Sequence, residues 1–377
     1  MIRRVLLVGA LVMAHTFIPA AAQAAPVQCE PEPGSMEVGE SWAQRRVKAE
    51  SVWHLTRGEG VTVAVIDSGV DVYHPQLRGV RQFELTGTGH RDCLGHGTAV
   101  AGIIAASNRA DVPFHGVAPG VRLVSFKQTN GKNGTSALLA LAIMEAAKLN
   151  VDVINVSTQA ADTSDLKAAI DYALAKDIVV VAAAGNSSPE DKDKQEFPAA
   201  YAGVLSVGSV SADGGRSDFS NTVSKVGVVA PGQNVMSTWT GKSYMDGLDG
   251  TSFAAPYVAG VAALVRARFP HLTQEQVRRR IEVTADGALG DGTGAGVVNP
   301  LLAVTAVLPS EHVKLAPPLP PPLSENAVAK APPVDWRAIG IAAGVASAAL
   351  ALAGALVAAR LFMPMGRRRG WRASRPN

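Results

Sequence analysis

The sequence predicts an α/β domain built on a mostly parallel sheet, and three observations carry that prediction. Apolar runs of strand length at residues 61–66, 122–126, 153–156 and 178–183 are rich in Val and Ile without alternation, as strands covered on both faces require. Helical patterns at residues 98–106, 137–149 and 166–175 stand between them, the order of a parallel sheet with crossover helices. Polar residues able to do chemistry sit where these runs end, at the carboxyl edge where open parallel sheets place their sites. A hydrophobic content of 47% over 377 residues is enough for a sizeable core, and no internal repeat is visible.

Taken in order, residues 1–25 read as a signal peptide: Arg3 and Arg4 precede an apolar run at 5–18, and Ala22-Gln23-Ala24 supplies a small-x-small cleavage site. That run is short for a bilayer. A polar, Pro-containing arm follows at 26–49, and the α/β domain at 50–308. Two cysteines are present, Cys29 in the arm and Cys93 in the domain. In an oxidising compartment they are expected to pair, a closure worth about 4 kcal/mol on the chain-entropy account, with two free thiols as the alternative.

Residues 309–337 are Pro-rich and read as a stiff, extended linker. Residues 338–359 carry no charge and match the length that spans a bilayer; a peripheral or buried helix is the alternative for so Ala-rich a segment. The tail at 360–377 holds six Arg and is expected to stay cytoplasmic, which leaves the α/β domain outside on a single-pass anchor. Gly340 and Gly344 form a small-xxx-small pair that lets another membrane helix approach closely. The net charge of +3 is concentrated in this tail and argues against a nucleic-acid partner. Glu190, Asp191, Lys192, Asp193, Lys194 and Glu196 mix both signs and read as a solvated loop rather than a calcium site. No His/Cys cluster has zinc-ligand spacing, so neither metal nor cofactor is expected.

The stretch Gly250-Thr251-Ser252-Phe253-Ala254-Ala255-Pro256 leads from a polar loop into a helix that is apolar on nearly every side and closes at Pro270. A serine at such a helix mouth has unpaired N–H groups and the positive end of the dipole beside it, a ready cradle for an oxyanion; alternatively it only caps the helix. Asp67 ends the run at 61–66, where a buried carboxylate needs a partner. His96 stands in Gly95-His96-Gly97-Thr98 at the start of a helical run, where the dipole disfavours imidazolium and helps to keep a neutral base. Singly, Asp67 reads as a turn former and His96 as a cap. Together the three supply nucleophile, base and orienter. Asn186 ends the run Ala182-Ala183-Ala184-Gly185 and points an amide toward the same oxyanion, or serves as a turn residue after Gly185.

The motifs Val65-Ile66-Asp67-Ser68-Gly69, Gly95-His96-Gly97-Thr98 and Gly250-Thr251-Ser252-Phe253-Ala254-Ala255-Pro256, in that order, resemble those of subtilisin-like serine proteases over residues 50 to 308. The resemblance implies a three-layer sandwich with a mostly parallel central sheet, hydrolysis of peptide bonds in protein substrates, and Asn186 as an oxyanion donor. His74-Pro75 and Asn299-Pro300 match further family features that read as structural. The layout of leader, short arm with Cys29, Asp92-Cys93 before the histidine, Pro-rich linker and single C-terminal span is similar to that of the mycosins, membrane-anchored subtilases that accompany type VII secretion systems. That similarity implies a cell-surface location, processing of exported proteins and partner membrane proteins of a secretion complex. A structural subunit whose proteolysis is dispensable is the alternative.

Two departures from the broad-specificity members stand out. Between Ala25 and the first strand there is no room for a folded inhibitory prosegment, so the arm is expected to wrap the domain, held by its cysteine. The glycine-rich groove strand of those members is replaced by Asn155-Val156-Ser157-Thr158-Gln159-Ala160. Side chains at Ser157, Thr158 and Gln159 are expected to line the substrate groove, the latter two filling space that glycine leaves open and narrowing the primary pocket. Lys132-Asn133-Gly134 is expected to form the opposite edge, pairing with an extended peptide, or to be an ordinary surface loop.

Overall fold

The computed structural model describes residues 29–131, 134–187, 194–311 and 334–368. They fall into two units, one within Met1–Leu319 and one within Pro320–Asn377. In chain order the first unit contains α1 (Trp42–Val47), β1 (Thr62–Asp67), β2 (Arg81–Glu84), α2 (His96–Ala105), β3 (Arg122–Lys127), α3 (Ser136–Lys148), β4 (Val153–Val156) and α4 (Ser164–Ala175). It continues with β5 (Val179–Ala183), β6 (Leu205–Val210), β7 (Val228–Pro231), β8 (Val235–Trp239), β9 (Ser243–Leu248), α5 (Thr251–Arg268), α6 (Gln274–Val283) and α7 (Pro300–Thr305).

β1 lies third in a seven-stranded sheet of order β2-β3-β1-β4-β5-β6-β7, and every paired neighbour is parallel. Successive strand residues face opposite sides, and the two cores divide accordingly. Val63 and Val65 pack with the α2 and α5 side, whereas Ala64 and Ile66 pack with the α3 and α4 side. The same parity runs through β4, where Val153 joins the first core and Ile154 and Val156 the second. By this alternation Asp67 on β1 and Asn155 on β4 turn toward the side where α2 and α5 begin. The α/β sandwich expected from the apolar runs is therefore present. The polar strand β2, with Arg81 exposed at the sheet edge, and the antiparallel pair β8-β9 have no such apolar signature.

The arm at 26–49 is more structured than its polar composition suggests. A disulfide joins Cys29 to Cys93, Ser35 and Tyr244 exchange two backbone hydrogen bonds of 2.8 Å, and Trp239 Nε1 donates to Glu32 O at 2.7 Å. α1 is capped by Ser41 and closed by Lys48 in the left-handed region, and it buries Ala43 and Val47 in the first core. Six residues are too short to show amphipathic periodicity, which is why the helix is invisible in the sequence. At the other end, buried Arg280 on α6 donates to Ala303 O at 2.9 Å, Ala306 O at 3.0 Å and Glu311, and lies over the Phe269 ring. That pairing carries the folded unit to Glu311, beyond the expected limit at 308.

The second unit contains α8 (Trp336–Arg368), 33 residues or about 50 Å of helix. Its segment Trp336–Met365 has a mean hydropathy of 2.2 and is long and apolar enough to cross a membrane. The helix outruns the expected span at 338–359, since Arg360 is a good helix former and does not end it. Residues 1–25, most of the linker and the tail beyond 368 lie outside the described residues.

Candidate active site

Three ends of the fold converge on one imidazole. β1 delivers Asp67 at its carboxyl end, the first residue of α2 is His96, and α5 carries Ser252 in its first turn. His96 Nδ1 lies 2.7 Å from Asp67 Oδ1, and His96 Nε2 lies 2.9 Å from Ser252 Oγ. A carboxylate only accepts, so Nδ1 carries the proton and Nε2 is left to accept from the serine hydroxyl. The Asp67 side chain is 1% exposed and that of His96 25%, so the acid is sealed and the base faces the cleft.

Glycine makes this approach possible. A Cβ on Gly97 would stand 2.1 Å from Gly69 O and 3.1 Å from Asp67 Cβ, so any larger residue after His96 would force α2 off β1. Asp67 Oδ1 also accepts from Ser68 N at 2.7 Å, while Oδ2 is buried and has no donor among the described residues. Burial works against the His96 imidazolium. The Asp67 carboxylate, by charge and by hydrogen bond, with a weaker pull from Asp92, outweighs that penalty, and the pKa of His96 lies above its ordinary 6.5. The expectation that the start of α2 helps to keep this ring neutral meets an opposing pull from the Asp67 carboxylate in direct contact with it.

Asn186 is locked by the residue before the serine. Thr251 donates to Asn186 Oδ1 from its N–H at 2.9 Å and from its hydroxyl at 3.0 Å, and that hydroxyl accepts from Gly185 N at 3.1 Å. With Oδ1 occupied, Nδ2 is the end left to face the serine. A Cβ on Gly250, whose φ is +149°, would lie 2.9 Å from Ser252 Oγ and 3.3 Å from Asn186 Nδ2. Gly250 thus lies against both the serine hydroxyl and the Asn186 amide donor.

The other expected residues are distributed as follows. Ser157 turns inward: its hydroxyl donates to Ser252 O at 2.8 Å and accepts from Asn155 Nδ2 at 2.9 Å, so it braces the turn that carries the serine. Thr158 is 7% exposed and accepts from Gln128 Nε2 at 3.1 Å. Gly134 lies against the same Gln128 amide, 2.1 Å from its Oε1 when a Cβ is added. Gln159 Nε2 comes within 3.1 Å of a Cβ placed on Gly185, beside the Glu196 side chain at 2.6 Å. Lys132 and Asn133 lie outside the described residues, as do Glu190, Asp191, Lys192 and Asp193 of the mixed-sign loop. Lys194 and Glu196 of that loop pair with each other at 3.7 Å.

Two residues near the site carry roles that sequence reasoning did not assign. Trp239 lies against the turn before His96, where a Cβ on Gly95 would meet its ring at 2.4 Å. Asp92 is a buried carboxylate whose acceptors point into that same turn. An acidic residue just before a helix start was the available signal for Asp92, since such residues cap free N–H groups.

Residues 58–301 match the Subtilase family. Mycosin-4 of Mycobacterium tuberculosis (strain ATCC 25618 / H37Rv) is 36% identical over 376 residues, covering 84% of this chain and 81% of that protein. Subtilisin DY of Bacillus licheniformis is 40% identical over 250 residues, covering 64% of this chain and 90% of that protein. The solved structure of MycP1, a serine protease described as an essential component of the type VII (ESX-1) secretion system, has a TM-score of 0.65 at 33% identity, covering 73% of this chain and 91% of that one.

Proposed function

Because the chain belongs to the subtilase family of serine peptidases and is related to the mycosins, we propose that it is a membrane-anchored endopeptidase that cleaves exported proteins through Asp67, His96 and Ser252. The observation that supports this reading is the single imidazole held at 2.7 Å from a buried carboxylate and 2.9 Å from a hydroxyl. Ser252 Oγ attacks the scissile carbonyl carbon as its proton passes to His96 Nε2. Asp67 fixes the tautomer and stabilises the imidazolium that forms. The carbonyl oxygen becomes an oxyanion in the space over Gly250, where Asn186 Nδ2 and the Ser252 N–H donate to it. His96 then gives its proton to the leaving amine, and water, deprotonated by the same ring, releases the acyl group from Ser252.

On this reading Thr158 and Gln159 wall a narrow primary pocket, and the segment containing Gly134 faces it as the edge that an extended peptide pairs with. Residues 1–25 direct export, Trp336–Met365 spans the membrane, and the Arg-rich tail stays in the cytoplasm by the positive-inside rule. The reported place of MycP1 in a type VII secretion system supports membrane proteins of such a complex as the partners of this chain. The test is to compare the termini of secreted proteins from wild-type cells and from cells carrying Ser252→Ala. At least one protein is expected to be secreted with an uncleaved segment in the variant. Identical termini together with unchanged secretion would remove the proteolytic role; unchanged secretion of an unprocessed protein would support a structural role alongside proteolysis, and loss of secretion as well would tie secretion to the proteolysis.

A further inference from the structure

Asp92 has no part in the cycle above, yet it is a carboxylate 1% exposed beside the acid–base pair. Its Oδ1 accepts from Leu94 N at 3.1 Å, Gly95 N at 3.0 Å and Ser68 Oγ at 2.9 Å, and its Oδ2 from Thr98 N at 2.9 Å and Thr98 Oγ1 at 2.6 Å. Four of these five donors belong to residues 94–98, the turn that carries His96. Burial, helped by the nearby Asp67 charge, raises the pKa of the Asp92 carboxyl above its ordinary value, and the hydrogen bonds from Thr98 and Ser68 work against that rise by stabilising the charged form.

The fifth donor ties Asp92 to Asp67. Ser68 Oγ lies 2.9 Å from Asp92 Oδ1 and 3.1 Å from Asp67 Oδ1, while one of its lone pairs accepts from Gly97 N at 3.0 Å. A hydroxyl has one proton, so the two carboxylates compete for it. When the proton goes to Asp92, Asp67 Oδ1 keeps its capacity for the His96 Nδ1–H. When it goes to Asp67, it stabilises that carboxylate alone and loosens its hold on the ring.

Resting on the assignment of Asp67 and His96 as the acid–base pair, we propose that Asp92 is a positioning residue for that pair. It clamps the turn that carries His96 and draws the Ser68 proton away from Asp67. The charged groups that face this network are Asp67 on β1, His96 on α2 and Lys127 on β3, with Glu84 on β2 beyond the lysine. Lys127 Nζ donates to Gly89 O at 2.8 Å and Arg91 O at 2.7 Å, so it fixes the backbone just before Asp92 rather than pairing with its carboxylate. The negative charge of Asp92 adds to that of Asp67 in favouring the imidazolium.

The test needs no natural substrate. The rate at which a fluorophosphonate modifies Ser252 in the full-length chain in detergent is measured against pH, with the melting temperature of each variant. Asp92→Asn is expected to slow modification at least about tenfold, the loss of one charge-assisted hydrogen bond, and to move the acid limb to lower pH. Ser68→Ala is expected to keep the acid limb where the wild type has it, because the hydroxyl was not donating to Asp67. Asp92→Asn combined with Ser68→Ala is expected to recover part of the shift, since no proton remains to be turned onto Asp67. A lowered melting temperature with an unmoved limb in Asp92→Asn, or an upward limb in Ser68→Ala, would overturn the proposal. Should Asp92→Asn fail to fold, the limb of Ser68→Ala decides alone. Absence of wild-type labelling would instead sink the assignment of Ser252, so the two failures are distinguishable.

Discussion

Thr251 holds Asn186 by the oxygen of its amide, with two donors at 2.9 and 3.0 Å on one acceptor, and this decides which end of the amide meets the reaction. Asn186→Asp keeps the acceptor that Thr251 needs and replaces the donor with a negative oxygen. The expected result is a fall in kcat of roughly 10² to 10³ with KM little changed, since the donor acts on charge that develops only in the transition state. Steady-state kinetics on a cleavable peptide checks this, and a variant with wild-type kcat would show that Nδ2 does not face the oxyanion.

Activity is expected to disappear as the pH falls, and the sign follows from the histidine. His96 must be neutral to accept the Ser252 proton, and after burial is set against the Asp67 charge its pKa is raised above 6.5. The acid limb of kcat/KM therefore lies above 6.5, with activity present above the limb and lost below it. Asp67→Asn removes the cause of the shift, so the limb moves down, and the rate drops about ten-thousandfold because the ring no longer holds its tautomer. A wild-type limb at or below 6.5 would contradict the electrostatic account.

Much of this site was legible because chemistry and topology coincide in short stretches. Asp67, His96 and Ser252 each stand at the end of a strand or the start of a helix, and the apolar runs around them announce those elements. Ser157 was read as a groove residue, but strand parity turns its hydroxyl onto Ser252 O, which only the pairing of β4 within the sheet reveals. Asp92 is visible in the sequence only as part of the Asp92-Cys93 pair before the histidine, with no sign that its carboxyl is buried against the turn that carries His96. Its burial depends on Ser68, Thr98 and Lys127, which arrive from three separate segments. Trp239 was hidden for the same reason, because its contact with Glu32 is long-range, whereas α1 was hidden because six residues show no periodicity.

The groove wall makes a prediction about selectivity. Gln159 Nε2 lies close to Gly185, one residue before Asn186, and on the proposed reading it fills space beside the scissile bond. Gln159→Gly is expected to raise kcat/KM for peptides with Phe before the cut by about tenfold or more, as one or two added methylenes' worth of apolar contact becomes available. Equal or poorer cleavage of such peptides relative to wild type would place the primary pocket elsewhere.

The arm makes a prediction about stability. The Cys29–Cys93 bridge closes a loop of sequence separation 64, and removing both thiols by Cys29→Ser with Cys93→Ser is expected to cost about 4 kcal/mol of unfolding free energy. Urea denaturation of the two forms measures it. A midpoint equal to that of wild type would mean that the Ser35–Tyr244 and Glu32–Trp239 contacts hold the arm without the disulfide.

The central claim is that a buried acid and one imidazole turn a single hydroxyl into a nucleophile. The most direct measurement is fluorophosphonate labelling of the purified full-length chain, with the modified residue mapped by peptide mass spectrometry. One label per chain is expected, on Ser252, abolished in Ser252→Ala and reduced at least about a hundredfold in rate in His96→Ala. Labelling of a different serine, or undiminished labelling of Ser252 without His96, would contradict that claim.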